Sequence, residues 1–515
     1  MPVPPTESAH ATGILDRFRF LRDWLGEAFK SVGPEWAKAL AIAVALIQAA
    51  LLVAALLFEV MLHADGSNFA YGIATGDAAD LWWGDILSRA TTYLLVVVPA
   101  QFIVQTFELG GEGLIALYGG LFYGLQLITY LIAISLAWKR YPTLLVFPAA
   151  QYALSSIMGY GFPSEVLISS GFVWISAMLV VRNQAFSIWF FLSFLALVFS
   201  HELAIPAACV IAYCAIASFR KAGAPVWKSV VFVVAMLAIA AGFTYARLIG
   251  GGATSNAIYV LDPRRLLNHP TAWLITASLL ILLAFWLVGL RFRFMKTVGA
   301  VLGLFLVCVP VALHLSQIEI NFELGRYGSA RTMVGGALLF FVVLMFTRTP
   351  ASAGPTGRSP EAFAAFIPAA IVSALALAAG ANGVFIADHR IAATAIEDFV
   401  SVPAPQGAPE IVDYEDFLDQ LPAGEASAVK RMNYLWTMRF RSVVVAPDYS
   451  PGRIINESLP YNSHCQNAGK ADIQKGMIDP HTADLITRLS CGDQQSQTTN
   501  RSDADARSYG STRER

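Results

Sequence analysis

The chain has 515 residues, of which 56% are hydrophobic and only 14% are charged, and its mean hydropathy is +0.57. A soluble globular domain carries about a quarter of charged residues, so this composition excludes an ordinary soluble protein. Apolar runs of about 20 residues recur along the chain, and each is long enough to cross a bilayer core of about 30 Å. The sequence therefore predicts an all-α polytopic membrane protein. The net charge of −1 indicates nothing about partners, and we expect the lipid bilayer but no nucleic acid among them.

Residues 1–36 precede the first apolar run and are mostly polar. They include the segment 17–22, Arg-Phe-Arg-Phe-Leu-Arg, in which basic and aromatic residues are interleaved. A basic aromatic helix can rest on a membrane surface, and a charged segment can also simply anchor a first span. No cleavable signal peptide is evident. We therefore expect a cytoplasmic amphipathic lead-in.

Apolar segments follow in close succession. The predicted spans are 37–62, 113–137, 142–160, 164–181, 185–200, 203–219, 226–247, 272–290, 297–315, 332–347 and 363–385. The stretch 91–107 is apolar as well, but it is short and Pro99 interrupts it. The transmembrane domain is thus expected over residues 37–385, with about 11 spans of the length that a bilayer requires.

The distribution of Lys and Arg decides whether 91–107 crosses the membrane. If it does not cross and the amino terminus is cytoplasmic, the basic clusters of the later loops all fall inside. These clusters contain Lys139, Arg140, Arg182, Arg220, Lys221, Lys228, Arg291, Arg293, Lys296, Arg348 and Arg358. If it crossed, all of them would lie outside, against the rule. Residues 63–112 are therefore predicted to form one long outer loop with interfacial helices, and the carboxyl terminus is predicted to lie outside.

The residues after the last span have the pattern of a small α+β external domain, 386–491. Within it we predict a helix over 391–400 and a strand over 441–446. The tail 492–515 lacks apolar periodicity and is predicted to be disordered. Cys465 and Cys491 are candidates for a disulfide if this region faces an oxidising compartment. No Cys or His spacing indicates a structural zinc site.

With this orientation, several chemically competent residues lie on the outer face. His201 and Glu202 join two spans with almost no loop, where ionisable groups are costly unless they are paired or line a polar cavity. They are either a structural tie between helices or part of a site. Glu165 stands at a similarly tight turn, where a helix dipole favours an acid in the first turn. Capping is the competing interpretation for it.

Further outer residues complete the candidate set. Arg326 and Arg331 lie on the side where basic residues are scarce, and either phosphate binding or interfacial snorkelling accounts for them. Asp77 and Arg89 in the first loop are candidates for substrate binding, and Asp65 immediately follows the first span. Carboxylates, a histidine and arginines at a membrane surface suit group transfer from a lipid-linked phosphate donor. A carboxylate takes the proton of the attacking hydroxyl, and arginines stabilise the departing phosphate.

The first span, the acidic residue directly after it in a long outer loop, the many later spans and the external carboxyl-terminal part resemble the C-type membrane glycosyltransferases. The segment 199–202, Phe-Ser-His-Glu, is similar to what uncharacterised bacterial members would carry. The resemblance implies a polyprenyl-phosphate-linked sugar donor, with Asp65 as the first-loop catalytic acid-base residue. Asp77 or Asp80 is an alternative for that role. The loop lacks the adjacent Asp-Asp or Asp-Glu pair of many members, so no metal ligands are assigned and dependence on a divalent metal stays open.

The sequence thus predicts a glycosyltransferase of the bacterial inner membrane that acts on the periplasmic side. Asp65, His201 and Glu202 are its catalytic candidates, and Asp77, Arg89, Glu165, Arg326 and Arg331 are its substrate-binding candidates. One alternative is a polymerase or ligase of cell-surface polysaccharide, which would depend less on a first-loop carboxylate. Another is a transporter or lipid flippase, although the predicted spans are nearly free of ionisable groups apart from Glu59. A third is an assembly protein without enzymatic activity.

Overall fold

The structure, a computed structural model, is mostly helical. It describes residues 22–23, 25–63, 65–76, 78, 89–159, 165–221, 223, 225–250, 323–347, 366–403, 410–432, 437–457 and 477–491. The helices of the membrane part are α1 (Pro34–Leu57), α2 (Asp65–Thr75), α3 (Ala90–Phe107), α4 (Gly111–Ala137), α5 (Val146–Gly159), α6 (Glu165–Val181), α7 (Ile188–Val198), α8 (Ile205–Lys221), α9 (Val226–Gly250), α10 (Glu323–Phe346) and α11 (Phe366–Val400). The predicted spans 272–290 and 297–315 lie outside the described residues.

Among the described residues, six helices are long and apolar enough to cross a membrane: α1, α3, α4, the segment Glu202–Arg220, the segment Val226–Ala246 and the segment Ile367–Val400. The apolar helices Glu165–Val181, Ile188–Val198 and Val334–Phe346 are shorter. Large apolar side chains such as Leu46 and Val234 are exposed on these helices, as expected where lipid replaces water. The chain is therefore a helical membrane-associated protein.

The helices pack closely through small residues, which is the usual means of association in a membrane. Helix α6 lies against α4 where Gly171 meets Thr129, so closely that any side chain at Gly171 would collide with the threonine. Buried hydrogen bonds tie neighbouring helices as well. Tyr130 Oη donates to the carbonyl of Ala41 at 3.1 Å, and Trp174 Nε1 donates to Gln151 Oε1 at 3.0 Å.

One end of the helical bundle is rich in lysine and arginine, and we call it the basic end. Arg182 Nη1 donates to the carbonyl of Leu136 at 3.2 Å, which brings the last turns of α4 and α6 together beside Lys139 and Arg140. Helix α1 begins at the same end, because Lys38 Nζ lies 5.8 Å from the ring centre of Trp138. The clusters that the charge rule assigned to one side of the membrane therefore share one end of the bundle in these helices.

The opposite end, which we call the site end, contains the start of α6 and the end of α7. Helix α3 has both of its termini there. Thr91 near its start donates to the carbonyls of Phe199 and Ala196, and Leu109 after its end accepts a hydrogen bond from Tyr449 at 2.8 Å. A π-helical turn over Tyr93–Val97, just before Pro99, interrupts the helix. Although α3 is long enough to span, these contacts lay it along the site end.

The carboxyl-terminal part follows α11 without a break, since the predicted helix 391–400 is the last portion of that 35-residue helix. A helix of this length measures about 52 Å and exceeds a bilayer core of about 30 Å. Beyond it are β1 (Glu410–Asp413), α12 (Tyr414–Asp419), α13 (Ala423–Met432), α14 (Met438–Val444), β2 (Arg453–Asn456) and α15 (Pro480–Cys491). The two strands pair in parallel, with Glu410 opposite Arg453.

The predicted strand 441–446 is wrong, because these residues belong largely to helix α14. The run Val443-Val444-Val445 has a β-branched composition that favours strands. Instead, Phe440, Val443 and Val444 are buried on α14, which packs against α2 and β2. Tertiary packing at helical spacing thus overrides the local preference.

Candidate functional site

Four of the residues predicted for the site come together at the site end. Arg89 Nη1 lies 3.0 Å from Glu165 Oε1, and Arg89 Nη2 lies 4.0 Å from Glu202 Oε1. His201 Nδ1 lies 3.4 Å from Glu202 Oε2. Three separate parts of the chain therefore supply one cluster of ionisable side chains, which we call the Arg89 cluster: Arg89, Glu165, His201 and Glu202.

The Arg89 cluster is well shielded from solvent. The side chains of Glu165 and His201 are 2% and 0% exposed, and those of Arg89 and Glu202 are 17% and 14% exposed. Within the cluster, one guanidinium faces two carboxylates. Buried charges persist only when they are paired and hydrogen-bonded. The pairing of Glu165 and Glu202 with Arg89 therefore meets the condition under which ionisable side chains are tolerated at membrane depth.

Arg89 is positioned by the segment that follows it. The backbone N–H of Thr91 donates to the carbonyl of Phe199 at 3.1 Å, and the Thr91 hydroxyl donates to that of Ala196 at 2.7 Å. Both acceptors lie at the end of α7, immediately before His201. The start of α3 is therefore fixed to the turn that carries the histidine and Glu202.

The turn after α7 fixes the state of the His201 ring. The backbone N–H of Leu203 donates to His201 Nδ1 at 3.2 Å, which closes a short 3₁₀ turn over Glu202–Ala204. A nitrogen that accepts a hydrogen bond carries no proton, so the neutral ring has its proton on Nε2 and the contact of Nδ1 with the Glu202 carboxylate is not an ion pair in this tautomer. The structural tie that the sequence suggested is thus present, and it coexists with the Arg89 cluster.

Glu165 begins α6, as a first-turn acid should, and its carboxylate pairs with Arg89 instead of serving only the helix dipole. Ser164, the preceding residue that could cap the helix, lies outside the described residues, so the capping interpretation stays open. Sequence spacing could not reveal this pair, because the two partners are 76 positions apart.

Helix α10, which carries Arg326 and Arg331, packs against the 3₁₀ turn over Glu202–Ala204, which we call the Glu202 turn. Gly335 lies so close to Leu203 that an added Cβ would stand 2.9 Å from the Leu203 Cβ. Arg331 precedes Gly335 by four residues, which is about one helical turn or 6 Å along the axis. The backbone therefore places Arg331 one helical turn from the point where α10 contacts the Glu202 turn. The side chains of both arginines lie outside the described set.

The other predicted residues are placed only in part. Asp65 is the first residue of α2, a helix that packs against α3, α4 and α14, and its side chain is not among those described. Asp77 and Cys465 lie outside the described residues. Cys491 ends α15, again without a described side chain. The catalytic role of Asp65 and the disulfide therefore stay predictions.

A second buried group of ionisable side chains lies where α1 ends. It consists of Glu59, His63, His389 and Arg441. His389 Nδ1 donates to the carbonyl of Phe58 at 3.2 Å, and its ring centre lies 6.5 Å from that of His63. Arg441 is 3% exposed, and its Nε and Nη2 have no hydrogen-bond partner among the described residues. Of these four residues only Glu59 stands out in the sequence, because Arg441 lies in the predicted strand 441–446.

Burial dominates the electrostatics of this second group. Burial raises the pKa of Glu59. The positive charge of Arg441 lowers this pKa, and the negative charges of Glu397 and Glu112 raise it. Burial also lowers the pKa of Arg441 to about 10, although the nearby Glu59 raises it. The guanidinium therefore stays charged at neutral pH. The charges of Glu59 and Arg441 therefore interact between the end of α1 and helix α14.

Polar side chains inside the bundle surround a small cavity on the inner side of Glu165. The cavity has a volume of about 20 Å³ and is lined by Gln48, Gln126, Tyr152 and Ser170, among others. This volume holds about one water molecule. The cavity is too small for a sugar or a phosphate, so it offers no route for a substrate through the described bundle.

The residues of the Arg89 cluster do not assemble a metal site. Within the described part of the chain, no three His, Cys, Asp or Glu side chains stand together as ligands. His201 Nδ1 is already engaged by the N–H of Leu203. What the cluster can do chemically is accept a proton at a carboxylate, hold an anion at a guanidinium and exclude water from both.

Comparison with known proteins assigns no relative to this arrangement. The chain matches no protein-family model, and no curated protein or solved structure is significantly similar to it.

Proposed function

We propose that the protein is a membrane glycosyltransferase that moves a sugar from a lipid-linked phosphate donor to a cell-envelope acceptor. The observation that carries this proposal is the Arg89 cluster, in which two carboxylates, an arginine and a histidine meet at the end of the bundle opposite the basic end. Such a site combines a proton acceptor with a phosphate-binding cation at membrane level. A lipid-linked donor requires both groups at that depth.

The proposed reaction is a displacement at the anomeric carbon of the donor sugar. The acceptor hydroxyl attacks that carbon while a carboxylate takes its proton, and the bond between the sugar and the phosphate oxygen breaks. Asp65 is the proposed base, and His201 and Glu202 line the site. The bonding electrons leave with the polyprenyl phosphate, whose charge Arg326 and Arg331 stabilise. The products are the glycosylated acceptor and the free lipid phosphate.

The proposed location is the bacterial inner membrane, with the amino terminus in the cytoplasm and the site end in the periplasm. The grouping of Lys139, Arg140 and Arg182 at one end supports this orientation, because basic residues concentrate on the cytoplasmic side. The placement of α3 along the site end supports a long outer region between the first two predicted spans.

Sugar transfer by the purified protein tests the proposal, with a panel of polyprenyl-phosphate sugars and envelope acceptors. Glu202→Gln should reduce the rate by about a hundredfold or more, in line with the loss of a group that acts on proton transfer or its electrostatics. Glu108→Gln is the matched control, since Glu108 is an exposed carboxylate at the same end. Wild-type rates for Glu202→Gln in a folded protein would refute the role of the cluster.

A polysaccharide polymerase or ligase is the second candidate. It would use the same lipid-linked donor and the arginine and glutamates of the Arg89 cluster, but it would depend less on a first-loop carboxylate. Comparing Asp65→Asn with Arg326→Gln separates the two functions. A transferase with Asp65 as base loses activity in both variants, whereas a polymerase or ligase loses it mainly with Arg326→Gln.

A further inference from the structure

We propose that a groove at the basic end binds the headgroup of an anionic phospholipid. The groove lies between the last turns of α4 and α6 and has a volume of about 490 Å³. Its lining includes Lys139, Arg140, Arg182, Trp138 and Leu131. It lies at the opposite end from the Arg89 cluster, so the proposal is independent of the proposed function.

The charge of the groove fits a phosphodiester. Three cations line it, and no carboxylate is among the described residues of its lining. Lys139 and Arg140 are exposed. Arg182 is held in place by the hydrogen bond from Nη1 to the carbonyl of Leu136. A guanidinium held in place and flanked by two exposed cations suits an oxyanion, because arginine binds phosphate through paired N–H groups.

The apolar part of the groove identifies the phosphate's source as a lipid. Leu131 is 42% exposed, and Ile128 and Ile132 continue the exposed apolar face along α4. Acyl chains can lie on this face while the headgroup contacts the cations. Trp138 is half-buried at the rim, and indole rings favour the headgroup level of a bilayer. A soluble anion without acyl chains would make no favourable contact with this apolar face.

Lipid binding to the full-length protein in neutral detergent tests the inference, measured by native mass spectrometry with phosphatidylglycerol, phosphatidylcholine and inorganic phosphate as separate probes. We expect phosphatidylglycerol to bind at least about tenfold more tightly than phosphatidylcholine. Lys139→Gln/Arg140→Gln should weaken it by roughly tenfold or more, since each cation near a membrane surface contributes to the attraction. Arg220→Gln/Lys228→Gln removes two charges near the same end but outside the groove, and should leave binding unchanged.

Three results would overturn the inference. The first is equal affinity for the two phospholipids. The second is equal loss of phosphatidylglycerol in the groove variant and in the control variant. The third is binding of inorganic phosphate as tight as that of phosphatidylglycerol, which would mean a site for a free anion. If the double variant fails to fold, Arg140→Gln alone must still weaken phosphatidylglycerol binding several-fold.

Discussion

At the scale of single residues, the molecule buries charge in two places at its site end. The Arg89 cluster links α3, α6 and the Glu202 turn. The second group, which consists of Glu59, His63, His389 and Arg441, links α1, α11 and α14. Sequence identified all four members of the Arg89 cluster as candidates, because ionisable residues between apolar spans stand out. It could not pair them, since the contact between Arg89 and Glu165 depends on where the long segment between them folds.

Replacing Arg89 should expose the cost of burying the carboxylate of Glu165. Arg89→Met is expected to lower the free energy of unfolding by about 3 kcal/mol, because breaking a buried ion pair leaves charge without its counterion. The double variant Arg89→Met/Glu165→Gln should lose less than the sum of the single variants. Unfolding in mixed micelles with increasing SDS measures these differences. Strict additivity would mean that the two side chains do not stabilise each other.

Glu59 should make stability depend on pH. Its pKa in the folded protein is raised above the ordinary value of 4.5, mainly by burial, so the folded state holds the proton more tightly than the unfolded state. The resulting stability is fully present below pH 4.5 and is lost as the pH rises through the raised pKa. Melting temperatures from pH 4.5 to 8 should therefore fall more steeply in wild type than in Glu59→Gln. Parallel curves for the two proteins would contradict this assignment.

At the scale of elements, close contact between helices depends on glycines whose role is invisible in sequence. The two adjacent glycines of α10 differ sharply: Gly335 abuts Leu203, while an added Cβ at Gly336 meets open space. Predicting the helices themselves required only apolar length, and most predicted spans within the described residues coincide with helices. The strand prediction over 441–446 failed because the burial of α14 against α2 involves residues far apart in the chain.

Gly335→Ala should destabilise the protein, and Gly336→Ala should not. The first substitution forces α10 away from the Glu202 turn and should cost about 1–3 kcal/mol, as overpacking does. The second should be neutral or stabilising by up to about 1 kcal/mol, because alanine favours a helix more than glycine does. Thermal unfolding in detergent compares the two. Equal effects would show that α10 does not pack on the turn as described.

At the scale of the whole molecule, the two ends of the bundle have different chemistry. The basic end presents lysine and arginine around an open groove, whereas the site end buries paired charges beneath α3 and the carboxyl-terminal part. Charge counting along the sequence predicted this polarity, because the positive-inside pattern is a property of loops. Apolar length alone would have let α3 span, and only the contacts at its two termini favour the arrangement along one end.

Photo-crosslinking with a photoreactive polyprenyl-phosphate sugar tests the central claim most directly, since it locates the donor on the protein. We predict labelling at the site end, in peptides that contain residues 199–204 or 323–346, and competition by unlabelled donor. Glu202→Gln should keep this labelling while losing sugar transfer. Labelling that avoids both segments, or that unlabelled donor fails to reduce, would contradict the assignment of the Arg89 cluster as the site of transfer.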